Sequence, residues 1–282
     1  MSENRTELLE ALEERARQIR VHVVRIAGMS DCHTGGALSI AEILAALYFR
    51  VMKVDPTNPD WEGRDHFILS KGHCVPALHA VLAMRGFFPE EMLTTHLERD
   101  SFITGHACAR LTPGIDVSTG SLGHGLSIGV GAALGIRMDG GSNRVFVILG
   151  DGELQEGSSW EAAMCAAHHG LDGLTAIVDR NWYQTGRTEE MMALEPLAEK
   201  WEGFGWCVRT LDGHDMGEML DALESLPFSP GRPSVLIANT VKGRGVSFIE
   251  HQHMARLNEE QVLAALRELG EPTCNEKEVV AR

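Results

Sequence analysis

The sequence predicts an α/β fold: a doubly wound, mostly parallel sheet with helices on both faces. Three observations carry that prediction. Short apolar or β-branched runs alternate with helical segments along most of the chain. One of the runs, VFVIL at 145–149, is apolar along its length, as a strand buried on both faces is, and TAIVD at 175–179 reads as the next strand. Both runs end in polar turns, Gly150-Asp151-Gly152-Glu153 and Asp179-Arg180-Asn181, where sheets of this kind bind their ligands.

Taken in order, residues 6–29 carry Leu8, Leu9, Leu12, Ile19, Val23 and Ile26 at near-helical spacing with charges between them, which predicts an amphipathic helix. The stretch SIAEILAALYFRV at 39–51 is apolar around most of its circumference, so a second helix there should be buried on several sides. HFIL at 66–69 predicts a short strand, and 75–85 a helix. After the strand at 145–149 follow a helix over 158–168 and the strand at 175–179. A strand at 207–211, a helix over 215–226 and a strand at 235–240 complete the series, with a last helix over 258–269. Gly129, Gly131 and Gly135 mimic a dinucleotide fingerprint, but their spacing is wrong and they lie inside a helical run, so close helix packing explains them better.

The 282 residues show no repeat, low-complexity tract or long polar linker, so one domain spanning 1–282 is expected. Lys and Arg number 25 against 40 Asp and Glu, a formal charge of −15, which argues against nucleic-acid and anionic-membrane partners. Apolar runs stop well short of the roughly 20 residues a membrane span needs. The opening MSENRTELLEALEERARQ has no apolar signal core, so a cytoplasmic location is expected. Six scattered cysteines without a CxxC pair suit a reducing compartment and neither a disulfide framework nor a zinc site.

The sharpest chemical signal is the pair of strand-end turns. If the two strands are neighbours, Asp151 and Asn181 face one another across a crevice. A carboxylate and an amide oxygen are hard ligands suited to magnesium or calcium, which keep further positions for phosphate oxygens and water. Gly150 and Gly152 permit a tight turn and let a phosphate approach a backbone N–H. A helix starting near Ser158 adds its amino-terminal dipole. The competing reading is a strand-end Asp in a glycine turn with an unrelated Asn in the next loop.

Gly-Asp-Gly followed by Asn after 28 intervening residues is similar to the thiamine-diphosphate motif. CHTGGALSIAEILAALYF at 32–49, ILSKGH at 68–73, TGHACARLTPGIDVSTGSLGHGLSIGVGAALG at 104–135 and GDGELQEGSSWEA at 150–162 resemble the amino-terminal third of transketolases, in the family's order. The resemblance implies that Asp151, Asn181 and the Tyr183 carbonyl hold magnesium, with calcium or manganese as substitutes. It implies that His73, Gly152, Glu153 and Asn181 lie at the diphosphate. Gly120, Ser121 and Leu122 would form a loop against the cofactor's rings. His33 and His106 would line the substrate channel and polarise the sugar's oxygens, a task imidazoles suit near neutral pH. Glu156 would sit at a subunit interface. The family has one further histidine late in the domain that contacts the diphosphate and the substrate; VSFIEHQHMARLNEEQ offers His253 for it, with His251 close behind, and departs from the usual Trp-His-Gly. Thr34 stands where Pro is frequent, and His124 where Gln is.

Thiamine diphosphate chemistry also needs a carboxylate on the cofactor's pyrimidine ring, which transketolases carry on a second domain. After Val246 only one helix and a polar tail are read, so the chain resembles the diphosphate-binding half of a split transketolase. Its partner would be a carboxy-terminal subunit, in a heterotetramer of two copies each, acting on sugars or sugar phosphates. Two alternatives stand beside this: the α-like subunit of a 2-oxo-acid dehydrogenase decarboxylating component, and a non-catalytic cofactor-binding subunit.

Overall fold

A computed structural model describes residues 4–252 and 256–271. Its described residues form a five-stranded sheet from β1 (His66–Leu69), β2 (Val145–Gly150), β3 (Leu174–Arg180), β4 (Cys207–Asp212) and β5 (Ser234–Asn239). The order is β1-β2-β3-β5-β4, and every adjacent pair is parallel. All five carboxyl ends therefore open on one edge of the domain.

Side-chain alternation along the strands divides the core into two layers. Phe67, Leu69, Phe146, Ile148, Ile177, Leu236 and Ala238 point to one face, against helices Arg5–Met29, Ala41–Ala46, Val75–Arg85 and Met216–Glu224. Ile68, Val145, Val147, Leu149, Ala176, Val178, Val235 and Ile237 point to the other, against helices Gly125–Met138, Gly157–His168 and Leu197–Gly203. This is why VFVIL and TAIVD carry no polar alternation. Each apolar residue of the two has apolar cover whichever way it points.

The stretch expected as one helix over 39–51 is interrupted. Helix Thr34–Leu38 precedes it, helix Ala41–Ala46 follows, and Leu47–Val51 closes as a π-turn. Ser39 marks the break: its hydroxyl donates to the Gly36 carbonyl at 3.0 Å and to Asp179 at 2.8 Å. Gly35 and Gly36 lie ahead of the expected helix, yet both are helical, and other segments pass close by. A Cβ on Gly35 would lie 2.1 Å from the Gln252 carbonyl oxygen, and one on Gly36 would lie 2.7 Å from Cys74 Sγ. The other elements agree with expectation to within about two residues at each end, which is the ordinary uncertainty of an element boundary. No helix among the described residues is long and apolar enough to cross a membrane.

Candidate active site

The register of β2 and β3 sets the site. Gly150 pairs with Asp179, and the Asp151 N–H donates to the Asp179 carbonyl at 3.2 Å, so the two strand-end turns lie side by side. Asp151 caps the short turn Gly152–Gln155. One of its oxygens, Oδ1, accepts from the Gly152 N–H at 2.7 Å. The other accepts from Arg180 at 3.0 Å, the Trp182 N–H at 2.8 Å and Thr188 at 3.3 Å. Burial pushes the Asp151 carboxyl above the usual range, Asp179 adds to that, and Arg180 opposes it.

Asn181 is fixed from both ends: its amide nitrogen donates to Asp179 at 2.7 Å, and its oxygen accepts from the Tyr183 N–H at 3.1 Å. Trp182 between them is left-handed (φ 68°), which turns the chain so that the Tyr183 carbonyl faces the same crevice. That carbonyl lies 3.3 Å from the Lys242 ammonium.

A buried ion pair lies beneath. Lys71 and Asp179 bond directly, and Asp179 also accepts from Ser39 and Thr240. Burial raises the Asp179 carboxyl, but Lys71 and the hydrogen bonds outweigh it and hold the group below its usual range. Lys242 stands across the cavity, where burial and then Lys71 push its ammonium below the usual range.

These groups line a cavity of about 170 Å³ that includes His73, Leu122, Asp151, Gly152, Asn181 and Tyr183. Among the described residues no three or more His, Cys, Asp or Glu side chains converge on a metal position. A cation here would rest on one carboxylate, one amide oxygen and one carbonyl, hard donors that leave room for phosphate oxygens. The donor set and the flanking Lys242 and His73 thus fit a divalent cation carrying a diphosphate.

His73, which lines the cavity, gathers two further histidines from other segments on that side of it, its mouth. His33 and His73 lie edge to face with ring centroids 4.8 Å apart, and His33 and His106 lie 6.4 Å apart. His73 sits in the turn Gly72–Cys74. The loop bearing Gly120, Ser121 and Leu122 is tied to the end of β1, where the Thr119 hydroxyl donates to the Leu69 carbonyl at 2.6 Å. Gly120 has φ 153°, and a Cβ there would lie 3.1 Å from the His106 ring. Ser121 is exposed and lies 3.5 Å from His124.

Glu153 lines the same cavity, but its carboxylate is engaged with protein groups. It accepts from the Ser70 hydroxyl and from the Gly123 and Gly150 N–H groups, at 2.8 and 3.0 Å for the two amides. Its role here is to tie three loops around the crevice. Glu156 lies at the rim, ahead of helix Gly157–His168. His253 lies outside the described residues. His251, the alternative, stacks on the Tyr183 ring with centroids 5.0 Å apart, so that segment does reach the cavity rim.

Sequence reasoning missed Lys71, Lys242, Gln155, Gln184 and Arg180. Lys71 and Lys242 stand inside the segments ILSKGH and VKGRG, but nothing local marks a lysine as buried. Their signal is tertiary.

Comparison with known proteins follows the same lines. A family model described as "Transketolase, thiamine diphosphate binding domain" matches residues 12–280. The 6-deoxy-6-sulfo-D-fructose transketolase subunit of Clostridium sp. is 47% identical over 263 residues, covering 92% of this chain and 96% of the relative. An apulose-4-phosphate transketolase subunit of Phocaeicola vulgatus is 42% identical over 269 residues, covering 94% and 95%. The solved transketolase of Leishmania mexicana superposes with a TM-score of 0.87 at 29% identity, covering 96% of this chain. This chain spans 43% of that longer one.

Proposed function

The chain belongs to the family of transketolase thiamine-diphosphate-binding domains, and from that premise we propose that it is the amino-terminal subunit of a two-chain transketolase. The reaction is transfer of a two-carbon ketol unit from a ketose donor to an aldose acceptor. The observation that carries this reading is the convergence of Asp151, Asn181 and the Tyr183 carbonyl on one cavity, with His73, His33 and His106 at its mouth.

In this reading Asp151, Asn181 and Tyr183 hold magnesium, while His73, Gly152, Asn181 and the Lys242 ammonium hold the diphosphate. Gly120, Ser121 and Leu122 present backbone to the cofactor's rings. When bound, thiamine diphosphate supplies an electron sink for the two-carbon fragment. His33 and His106 donate hydrogen bonds to the sugar's carbonyl and hydroxyl oxygens and move protons there as carbon–carbon bonds break and form. An imidazole suits both tasks, since its two ring nitrogens can give a proton and accept one.

The partner is a carboxy-terminal transketolase subunit carrying the pyrimidine-side domain, in an assembly of two copies of each chain in the cytoplasm. Two relatives of nearly the same length are named as subunits, which supports a two-chain enzyme. Their names also guide the donor: one refers to a sulfonated ketose and the other to a ketose phosphate. A ketose with an anionic terminus is the substrate class we assign.

The test is reconstitution. Mixed with a carboxy-terminal transketolase subunit, thiamine diphosphate and magnesium, the chain should transfer two-carbon units from phosphorylated or sulfonated ketoses, and alone it should not. Turnover by the single chain would overturn the split arrangement. Decarboxylation of pyruvate without ketol transfer would favour the 2-oxo-acid reading, and cofactor binding with no activity in any pairing would favour a non-catalytic role.

A further inference from the structure

The segments that carry the three mouth histidines also carry a second row of polar side chains to which the proposed chemistry gives no part. Ser30 ends helix Arg5–Met29, three residues before His33. His96 follows the turn Glu90–Thr95 and opens the loop that ends at His106. The Ser30 hydroxyl and His96 Nδ1 lie 2.5 Å apart, a short hydrogen bond between segments 66 residues apart in sequence. His96 is 5% exposed and Ser30 half-buried, so the bond is partly shielded from water.

The loop after His96 closes on itself. The Leu97 N–H donates to the Ile103 carbonyl at 3.0 Å, which returns the chain to where it left. The Thr104 backbone then lies beside the His96 imidazole, two residues before His106. The Thr104 hydroxyl donates to the His106 carbonyl at 2.6 Å, continuing the connection to the mouth. From behind, fully buried His79 meets His96 edge to face with centroids 6.5 Å apart. His79 belongs to helix Val75–Arg85, which starts directly after the His73 turn.

We infer that Ser30 and His96 are a positioning pair that sets the separation of His33 and His106, and so the fit of the donor sugar. The inference rests on reading those two histidines as substrate-facing. Each mouth histidine stands on a loop whose base is held in this second row, and the Ser30–His96 bond is a direct link between the two bases. A hydrogen bond is directional, so it fixes the orientation of one base against the other as well as their separation. Displacement of a substrate-aligning group by about 1 Å can lower kcat/KM by up to about a hundredfold, and where the group mainly seats the donor the loss falls on KM.

The experiment uses the reconstituted pair of subunits and the variants Ser30→Ala, Ser30→Thr and His96→Phe. Ser30→Ala should raise KM for the ketose donor about tenfold, with kcat changed by less than about threefold. Its thiamine diphosphate affinity, measured by calorimetry with magnesium present, should match the wild type. Ser30→Thr keeps the hydroxyl and should restore the donor KM. Adding His96→Phe to Ser30→Ala should raise KM no further, because the bond is already gone. A lowered melting temperature with donor KM unchanged would reduce the pair to a structural contact and overturn the inference. His33→Ala and His106→Ala separate the two levels. If neither impairs the donor, the reading of the mouth itself is wrong; if both do and Ser30→Ala does not, only the positioning claim fails.

Discussion

Arg180 donates to Asp151 at 3.0 Å, with both side chains 1% exposed. The same guanidinium reaches Glu189 and Glu195 and covers the Trp182 ring at 3.8 Å. One carboxylate oxygen is thereby committed to protein donors, while Oδ1 accepts, among the described residues, from the Gly152 N–H. An Asp held in this way can offer a cation one oxygen in a fixed direction. That arrangement suits magnesium, which demands near-octahedral geometry.

Asp151→Asn tests this directly. The amide keeps the shape but removes the charge from the proposed metal position, so magnesium-dependent binding of thiamine diphosphate should fall by at least about a hundredfold, equivalent to about 2.7 kcal/mol. Calorimetric titration of the reconstituted pair reads the change. Cofactor affinity unchanged from wild type would remove the metal assignment.

The Lys71–Asp179 pair supports a second prediction. Lys71 is 2% exposed and Asp179 fully buried, and the carboxylate also gathers Ser39, Thr240 and Asn181. Removing one member of such a pair leaves an uncompensated buried charge, at a cost of about 3–5 kcal/mol. Lys71→Met should therefore lower the unfolding free energy by about that amount, and it should loosen Asn181 as well. Urea denaturation measures the first effect. Lys71→Met and Asp179→Asn combined should lose less than the sum of the two singles, because no unpaired charge remains.

How far the sequence foretold this site follows from the range of the interactions involved. Strands β2 and β3 were legible because VFVIL and the AIV of TAIVD need apolar cover, and the turns were legible because Gly, Asp and Asn have few other reasons to end buried strands. The helix Thr34–Leu38 was hidden. Gly35 and Gly36 are poor helix formers, and the close neighbours that require glycine there, Gln252 and Cys74, are distant in sequence. Lys71 and Arg180 stayed unmarked because their partners, Asp179 and the Asp151–Glu189–Glu195 group, are assembled by the fold alone. Glu153 was readable as a site residue, but its bonds to Ser70, Gly123 and Gly150 were not.

Gly72 provides a third test. A Cβ at this position would lie 2.5 Å from the Thr119 hydroxyl and 2.7 Å from the Thr119 backbone carbon. Gly72→Ala must therefore displace either the His73 turn or the loop carrying Gly120, Ser121 and Leu122. Cofactor affinity should weaken about tenfold or more, since both segments face the proposed cofactor. Gly86→Ala is the informative control. Its φ of 89° makes it strained, but a Cβ there meets nothing within 4 Å and it lies at the far end of helix Val75–Arg85. It should lower the melting temperature and leave cofactor affinity alone. Equal affinities for the two variants would remove the argument from close approach.

Acid stability offers a last prediction, centred on His79. The ring is fully buried, neither nitrogen has a hydrogen-bond partner among the described residues, and burial holds its pKa down to about 3. In the unfolded chain the same imidazole takes up a proton near 6.5. Between those values the unfolded state binds more protons, so stability is full above about pH 6.5 and falls as the pH drops toward 3. The slope from this one group approaches about 1.4 kcal/mol per pH unit. Burial lowers His22 and His96 as well, which steepens the same limb. His79→Leu removes the largest of these contributions together with two unsatisfied buried nitrogens. Urea unfolding at about pH 7.5 and about pH 5 should show the variant losing distinctly less stability than wild type across that interval. Parallel losses in the two proteins would mean that His79 is protonated in the fold, and that the buried row behind the active-site mouth carries charge.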